Sequence, residues 1–489
     1  MGDENTILSP AEARHLLRRT GFGALRRDLD RILTQGETRG GTADRLLAAK
    51  AQSVKPRGPD FESAHGKWIR FLLKTRTPLR AKLALFWHDH FATSYVKVQD
   101  LDLMAAQIQL FHKQGAGNFK TLVKAINKNP AMMEFLDTVR NRKKDPNENY
   151  ARELQELFTL GVSDFAGNPN YTQADIVQIA RAFTGWDYDR GEAYFDSDRH
   201  DFTADFPARG PKVIYQQTGG FGAGGRDFTV NGEGEQEIDT VIDIIFDHTD
   251  TDGKKTVARR TASRLLEFFA HSTPSTLLVD EVVATSGFDT SWEITPLLRA
   301  IFVHDAFYET MAPAPFGSAT PKSIKWPVDY VVSTLRLLGM RLRGREQTLQ
   351  GGRYLSILDH LDNMGQILLE PPSVFGWDWE TAWISSATLL ARYGFASDLI
   401  AARDGGSTSF RPERLIDLSL TDPGDIVDAV IGVLGVTDQL TAAERTVLVD
   451  YLTDGGANPT LDLSDYDLRN TKLHGLFALV LQSPAYQLH

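Results

Sequence analysis

The sequence predicts a mainly α fold: a multi-helix globular protein with a long irregular glycine-rich insert and few short strands. Helix start and stop signals punctuate the chain from end to end, strand signals are scarce, and apolar residues recur at helical spacing. The first element opens at Ser9-Pro10-Ala11-Glu12. This is a capping box with proline at the first helical position. That helix stops near Thr20-Gly21-Phe22-Gly23, and helical patterns follow over 63–75, 78–94 and 100–113. Thr172-Gln173-Ala174-Asp175 opens another, with Ile176, Ile179, Ala180 and Phe183 as its apolar stripe and Gly185 as a left-handed stop. Further helical patterns cover 236–248, 255–271, 293–303, 322–339 and 354–368. Asp422-Pro423-Gly424-Asp425 starts a helix that ends near Gly435, and Thr441-Ala442-Ala443-Glu444 starts one that ends at Asp454-Gly455-Gly456. Leu278-Val279 and Val213-Ile214-Tyr215 are short strand candidates.

The irregular insert spans about 187–235 and holds Phe195, His200, Asp201 and the run Gly219-Gly220-Phe221-Gly222-Ala223-Gly224-Gly225. A glycine-rich loop cradles phosphate when a helix and a Lys-Ser/Thr pair follow it. Arg226-Asp227-Phe228 follows here, so the run reads as a flexible loop, and a loop of this length can serve as a lid. Residues 1–400 are read as a main helical domain containing insert 187–235, and 401–489 as a C-terminal helical subdomain packed on it.

The chain has 489 residues, no cysteine and a formal charge of -11. Without cysteine there is no disulfide, no thiolate nucleophile and no cysteine-ligated metal. The acidic balance argues against nucleic acid as the main partner, because phosphate binding needs a basic surface. Met1-Gly2-Asp3-Glu4-Asn5 is acidic and has no apolar h-region, so no signal peptide is expected. No apolar run is long enough to span a membrane.

The most informative stretch is Pro146 to Gly161. On a helix, Asn149, Arg152, Glu153 and Glu156 share one face, while Ala151, Leu154 and Phe158 occupy another. Such a face is either a solvated salt-bridge stripe or the wall of a polar site. Arg181 and Trp186, on or just after the next helix, are placed to reach it. The second feature is Phe86-Trp87-His88-Asp89-His90-Phe91. Two histidines this close diverge by about 200° on a helix and cannot both chelate one ion from it. One of them could meet Glu153 or Glu156 in a mixed site suited to a divalent transition metal, with His88, His90 and Glu153 as ligands. The third feature is the proline-fixed turn Pro371 to Glu380, followed by Trp383. Its Trp377, Trp379 and Trp383 read either as a carbohydrate-stacking wall or as aromatic packing on the core. Asp250, Asp252 and Gly253 hint at a calcium loop but lack its spacing.

The chain resembles the bacterial domain of unknown function 1800 family, from about His15 to Gln487. The resemblance rests on Arg19-Thr20-Gly21-Phe22-Gly23, Phe86 to Ser94, Gly117-Asn118-Phe119, Pro130-Ala131-Met132 and Leu136-Asp137. It continues through Asn147 to Gly161, Tyr171 to Asp175, Ala180 to Trp186, Ile324 to Asp329, the Pro371 to Trp377 turn and Leu481 to Gln487. It implies a mainly helical fold. It also implies relatives that often look exported and often accompany a sulfatase-like partner. This chain departs from the family in having no leader and only His200-Asp201 and Gly210-Pro211-Lys212-Val213 left of an insert motif. The resulting expectation is an enzyme with a polar cleft between the 78–94 and 147–161 helices. Arg152 would bind an anionic group, Glu153 or Glu156 would act as general base or ligand, and His88 or His90 as acid/base or ligand. The substrate would be a cell-envelope or extracellular polymer such as a polysaccharide, and the reaction metal-assisted hydrolysis. The rival expectation is a non-catalytic glycan- or protein-binding or assembly protein, with the polar helix face as a structural network.

Overall fold

The computed structural model describes residues 2–204, 210–230, 232–309, 323–340, 342, 356–401 and 410–489. The ends of two expected helices (322 and 354–355), part of the insert (205–209 and 231) and the stretch just past the expected boundary (402–409) lie outside these residues.

The fold is mainly α, with two small antiparallel two-stranded sheets among the described residues. The capping boxes at Ser9, Thr172 and Thr441 form as expected. Gly435 and Asp454 stop their helices in the left-handed conformation. Four elements depart from expectation, among them the helix read as 322–339, which begins at Pro327 because residues 323–325 pair with the far end of the chain. The one read as 78–94 ends at His90, and a short helix Tyr95–Val98 follows. The one read as 354–368 ends at Asn363, because Gly365 turns to positive φ. Leu278-Val279 is not a strand. Ser275 caps the helix Thr276–Ser286, whose Val279, Val282 and Val283 form a buried stripe at helical spacing. Helices Arg26–Gln35, Arg39–Leu47 and Ser386–Ala401 carry weaker punctuation and were not anticipated.

One contiguous apolar cluster runs from Leu8 to Tyr486. Ser386–Ala401 packs against His474–Gln482, so the interior continues across residue 400. Residues 323–325 pair with the far end of the chain. Lys325 N–H donates to Gln487 O at 2.9 Å, and His489 N–H to Ser323 O at 2.9 Å. The Lys325 ammonium donates to Tyr486 O at 2.7 Å.

The described insert is built from two hairpins. Trp186–Asp189 pairs with Glu192–Phe195 across a turn in which Arg190 and Gly191 both take positive φ, the geometry a tight hairpin requires. Val213–Ile214 pairs with Arg226–Asp227 and brackets the glycine run. Tyr215 leaves that strand at positive φ.

Two ion pairs bolt the insert to the helices. Arg181, read as a site residue, is buried and donates to Asp201 at 3.0 Å. Lys212 donates to both oxygens of Glu237, at 2.9 and 2.7 Å. Lys212 also lies 3.1 Å from His200 Nε2. His200 Nδ1 donates to Thr184 O at 2.8 Å, so its Nε2 is the acceptor for the ammonium. All three side chains of this cluster are fully buried. An insert anchored this way is part of the core rather than a free lid. Removing one member strands the others: Lys212→Met should destabilise the protein by about 3–5 kcal/mol. Lys212→Met with Glu237→Leu should recover part of that loss, both read as the midpoint of urea unfolding.

Candidate functional site

The polar run of the sequence begins as the short helix Asn149–Glu153, entered where Asn147 Oδ1 accepts the Asn149 N–H at 2.9 Å. It then widens into a π-helix over Leu154–Thr159. Gln155 is fully buried in this wide turn and accepts the Tyr215 hydroxyl at 3.0 Å. The Tyr215 N–H in turn donates to Asp175 at 2.6 Å. A π turn inserts a residue into the α register, so Glu156 no longer stacks above Arg152 and Glu153. Glu156 accepts the Tyr171 hydroxyl at 2.7 Å. Arg152 is half-exposed and bonds Glu148 at 3.2 Å and Gln173 at 3.0 Å. Asn149 is exposed and reaches Asp137 at 3.4 Å. Glu153 is half-buried and accepts no hydrogen bond from a described residue; burial, then the charge of Glu156, raise its pKa.

The Trp-His-Asp-His segment works differently from the expected cleft wall. His88 is fully buried between Trp68 and Trp377, and its Nε2 accepts the Leu369 N–H at 3.2 Å. His90 points the other way, its Nε2 donating to Phe158 O at 3.1 Å in the π segment. Burial lowers the pKa of each to about 3, so both are neutral. Among the described residues no three His, Asp or Glu side chains gather where a metal ion could be held. His88, His90 and Glu153 therefore do not form the expected ligand set: the helix splays the two rings apart and each is committed to a backbone partner. Arg152, Glu153 and Glu156 likewise do not converge on either histidine. The calcium hint is filled from within, since the Arg259 guanidinium sits 2.8 Å from Asp250 and 2.7 Å from both Asp252 and Asp280.

Asp89, which the sequence reading passed over, organises the tryptophan turn. Its carboxylate accepts Trp377 N–H at 2.8 Å and Trp379 Nε1–H at 2.9 Å, with Arg264 3.8 Å away. Gly376 lies so close, at positive φ, that a Cβ there would sit 2.5 Å from Asp89 Oδ1. Trp377 and Trp383 are only 3% and 4% exposed, and Trp186 is buried too, so none of them offers a flat face to a sugar. Trp379 is half-buried, and one face of it is covered by Arg264 at 3.9 Å.

Two concavities adjoin this turn. The crevice between Lys82, Glu267, Trp379 and Glu380 has about 20 Å³ of free space, room for about one water. The groove on the other side holds about 480 Å³ and is lined by Ser94, Lys97, Phe135, Asp362, Glu370 and Trp377 among others. Ser94 and Trp377 fall in segments that the sequence singled out. Glu370 is half-buried and accepts no hydrogen bond from a described residue. Burial, then the charge of Asp362, raise its pKa. It follows Leu369, a non-glycine residue at φ 72, a conformation that costs about 1–3 kcal/mol. Leu369 is fixed from both sides: its N–H by His88, and its carbonyl by the Tyr95 N–H at 2.8 Å. His88 is thus a positioning residue for the Glu370 backbone. The signal that could have found the groove was the Leu-Leu-Glu-Pro-Pro run itself, a carboxylate beside a rigid proline pair.

A family model described as "Protein of unknown function (DUF1800)" matches residues 15–488. No curated protein and no solved structure matches the chain. No described helix is long and apolar enough to cross a membrane.

Burial raises the Asp89 pKa to about 7. A raised acid favours the folded state below its unfolded pKa, about 4, and that contribution is lost as pH rises through the folded value. Asp89→Asn should therefore remove a fall in stability between about pH 4 and pH 7, seen as a flatter profile of melting temperature against pH in that window. An unchanged profile would show that Asp89 does not titrate there.

Proposed function

We propose that this chain, which belongs to the DUF1800 family, binds an extended polar polymer of the cell envelope or extracellular space in the Lys97–Glu370 groove and hydrolyses it by acid–base chemistry. The observation that carries the reading is Glu370: a half-buried carboxyl with no described hydrogen-bond donor, beside a second carboxyl, in a groove of about 480 Å³. Ligand sites commonly span about 300–1,000 Å³. Two carboxyls whose environments push their pKa values apart can serve as acid and base at one pH. Asp362 is exposed and suits the base, while burial and Asp362 favour the protonated form of Glu370. In the proposed step Glu370 gives its proton to the leaving oxygen. Asp362 takes a proton from the attacking water, whose oxygen forms the new bond to the polymer. Lys97 and Asp137, paired at 2.7 Å, give the rim polar contacts for hydroxyl or acidic groups. This reading places the chemistry at the turn and leaves the Asn149–Glu156 face as a neighbouring surface linked to the rim through Asp137.

A second reading, binding without turnover, is favoured by Val96, which lines the groove, and by Phe375 on the adjoining turn, both 66% exposed. Incubating the protein with a panel of bacterial envelope and extracellular polysaccharides decides between them. The expected outcome is release of new chain ends by the wild type. Glu370→Gln should lose about a hundredfold or more of that rate while still sedimenting with the same polymer. Binding without release by the wild type would replace hydrolysis with the binding reading, and no binding at all would sink both.

A further inference from the structure

A second concavity lies away from the groove, between the start of Arg26–Gln35, the end of Phe61–Lys74 and the end of Pro327–Leu337. It holds about 620 Å³. Among the described residues lining it, five of eleven are cationic (Arg27, Arg70, Lys74, Arg76 and Arg336) and none is acidic. The chain as a whole carries a charge of -11, so a one-signed lining runs against its composition. Two other depressions among the described residues mix signs: the groove has Lys97 with Asp362 and Glu370, and another has Arg14 and Arg26 with Asp30 and Asp428.

The local chemistry deepens the contrast. Lys74 and Arg76 are exposed and form no ion pair with a described carboxylate. Arg27 has its sequence neighbour Asp28 at 3.3 Å, the nearest countercharge. Arg336 is half-buried. It spends one nitrogen on the carbonyls of Leu72, Leu73 and Thr75, at 2.9, 3.2 and 3.3 Å, and keeps a buried Nε without a partner. Burial, then the charge of Arg27, lower its pKa to about 10. The helix Arg26–Gln35 begins at Leu25 with no side-chain cap, and Asp28 is the acidic residue in its first turn. Guanidinium groups match the planar forks of oxyanions, and a one-signed depression concentrates counter-ions.

We propose that this pocket binds a multiply charged oxyanion group, a phosphate or sulfate ester, with Lys74 and Arg76 as its outer clamp and Arg27, Arg70 and Arg336 around it. The bland alternative is five solvated cations that share only diffuse counter-ions. It predicts no difference between a divalent oxyanion and chloride at matched ionic strength.

The test is calorimetric titration with inorganic pyrophosphate at constant ionic strength, run on the wild type and on Lys74→Ala with Arg76→Ala. Both side chains are exposed, so the double variant should keep the wild-type melting temperature. A control variant, Lys113→Ala with Arg190→Ala, removes equal charge from exposed positions elsewhere. Saturable binding by the wild type and the control, weakened about tenfold or more in the pocket variant, supports the proposal. A parallel arm floats the protein with phosphatidylcholine vesicles with and without phosphatidylglycerol. Capture by the anionic vesicles alone, lost in the pocket variant, supports the same site with a lipid headgroup as its source. No binding of either probe above chloride, or equal binding by the pocket and control variants, overturns it.

Discussion

Burial of His88, Asp89 and His90 at the end of one helix leaves each residue one way to satisfy its polar atoms, and those ways point to three different parts of the chain. His88 holds Leu369, Asp89 holds Trp377 and Trp379, and His90 holds Phe158. A charged form of any of them would cost several kcal/mol of desolvation in that interior. The segment therefore acts as a clamp in which burial opposes charge on each member. Its members titrate in opposite senses. The histidines resist protonation as pH falls below their ordinary value, and Asp89 resists ionisation as pH rises towards about 7. The clamp is most comfortable in the mildly acidic range where both conditions hold. The groove wall depends on it, because the strained Leu369 and the close-packed Gly376 keep their conformations only while those hydrogen bonds last.

Much of the fold was legible because helix ends are written locally. Ser9, Thr172 and Thr441 cap as their spacing requires, and Gly435 stops as glycine does. Leu278-Val279 was misleading because a β-branched residue favours strands by local preference, while the capped, buried stripe of Val279, Val282 and Val283 decides for helix. The candidate site was legible only in part. The motifs were found, but their partners were not, since a helical wheel assumes α geometry and the run through Glu156 turns π after Glu153. That turn is held by Tyr215, sixty residues away in sequence, and no local pattern encodes such a contact. Polar density in His88 and His90 likewise left open whether the groups face solvent or backbone.

Charge inside this protein is arranged in closed sets. Lys212, Glu237 and His200 form one; Lys82, Asp329 and His489 form another, with Lys82 at 2.6 Å and His489 at 2.8 Å from Asp329. Burial opposes ionisation of Asp329, but Lys82 and His489 outweigh it and keep the carboxyl well below its usual range. Such sets add little net stability over apolar packing, yet they tolerate only one arrangement of the segments that carry them. The first set fixes the insert and the second fixes the edge of the narrow crevice. The two proposed recognition surfaces then differ by what lines them: a carboxylate beside prolines in one, and a cluster of cations in the other.

The pairing of residues 323–325 with 486–489 has a consequence for biosynthesis. Lys325 and Tyr486 are 161 positions apart. At about 5–20 residues per second, a ribosome needs on the order of ten seconds to make the stretch between them. During that interval Lys325 has no carbonyl to bond and Asp329 lacks its His489 neighbour, so the apolar stripe of Pro327–Leu337 waits without this pairing. A nascent chain halted short of Tyr486 would lack this pairing and present that stripe to chaperones and proteases.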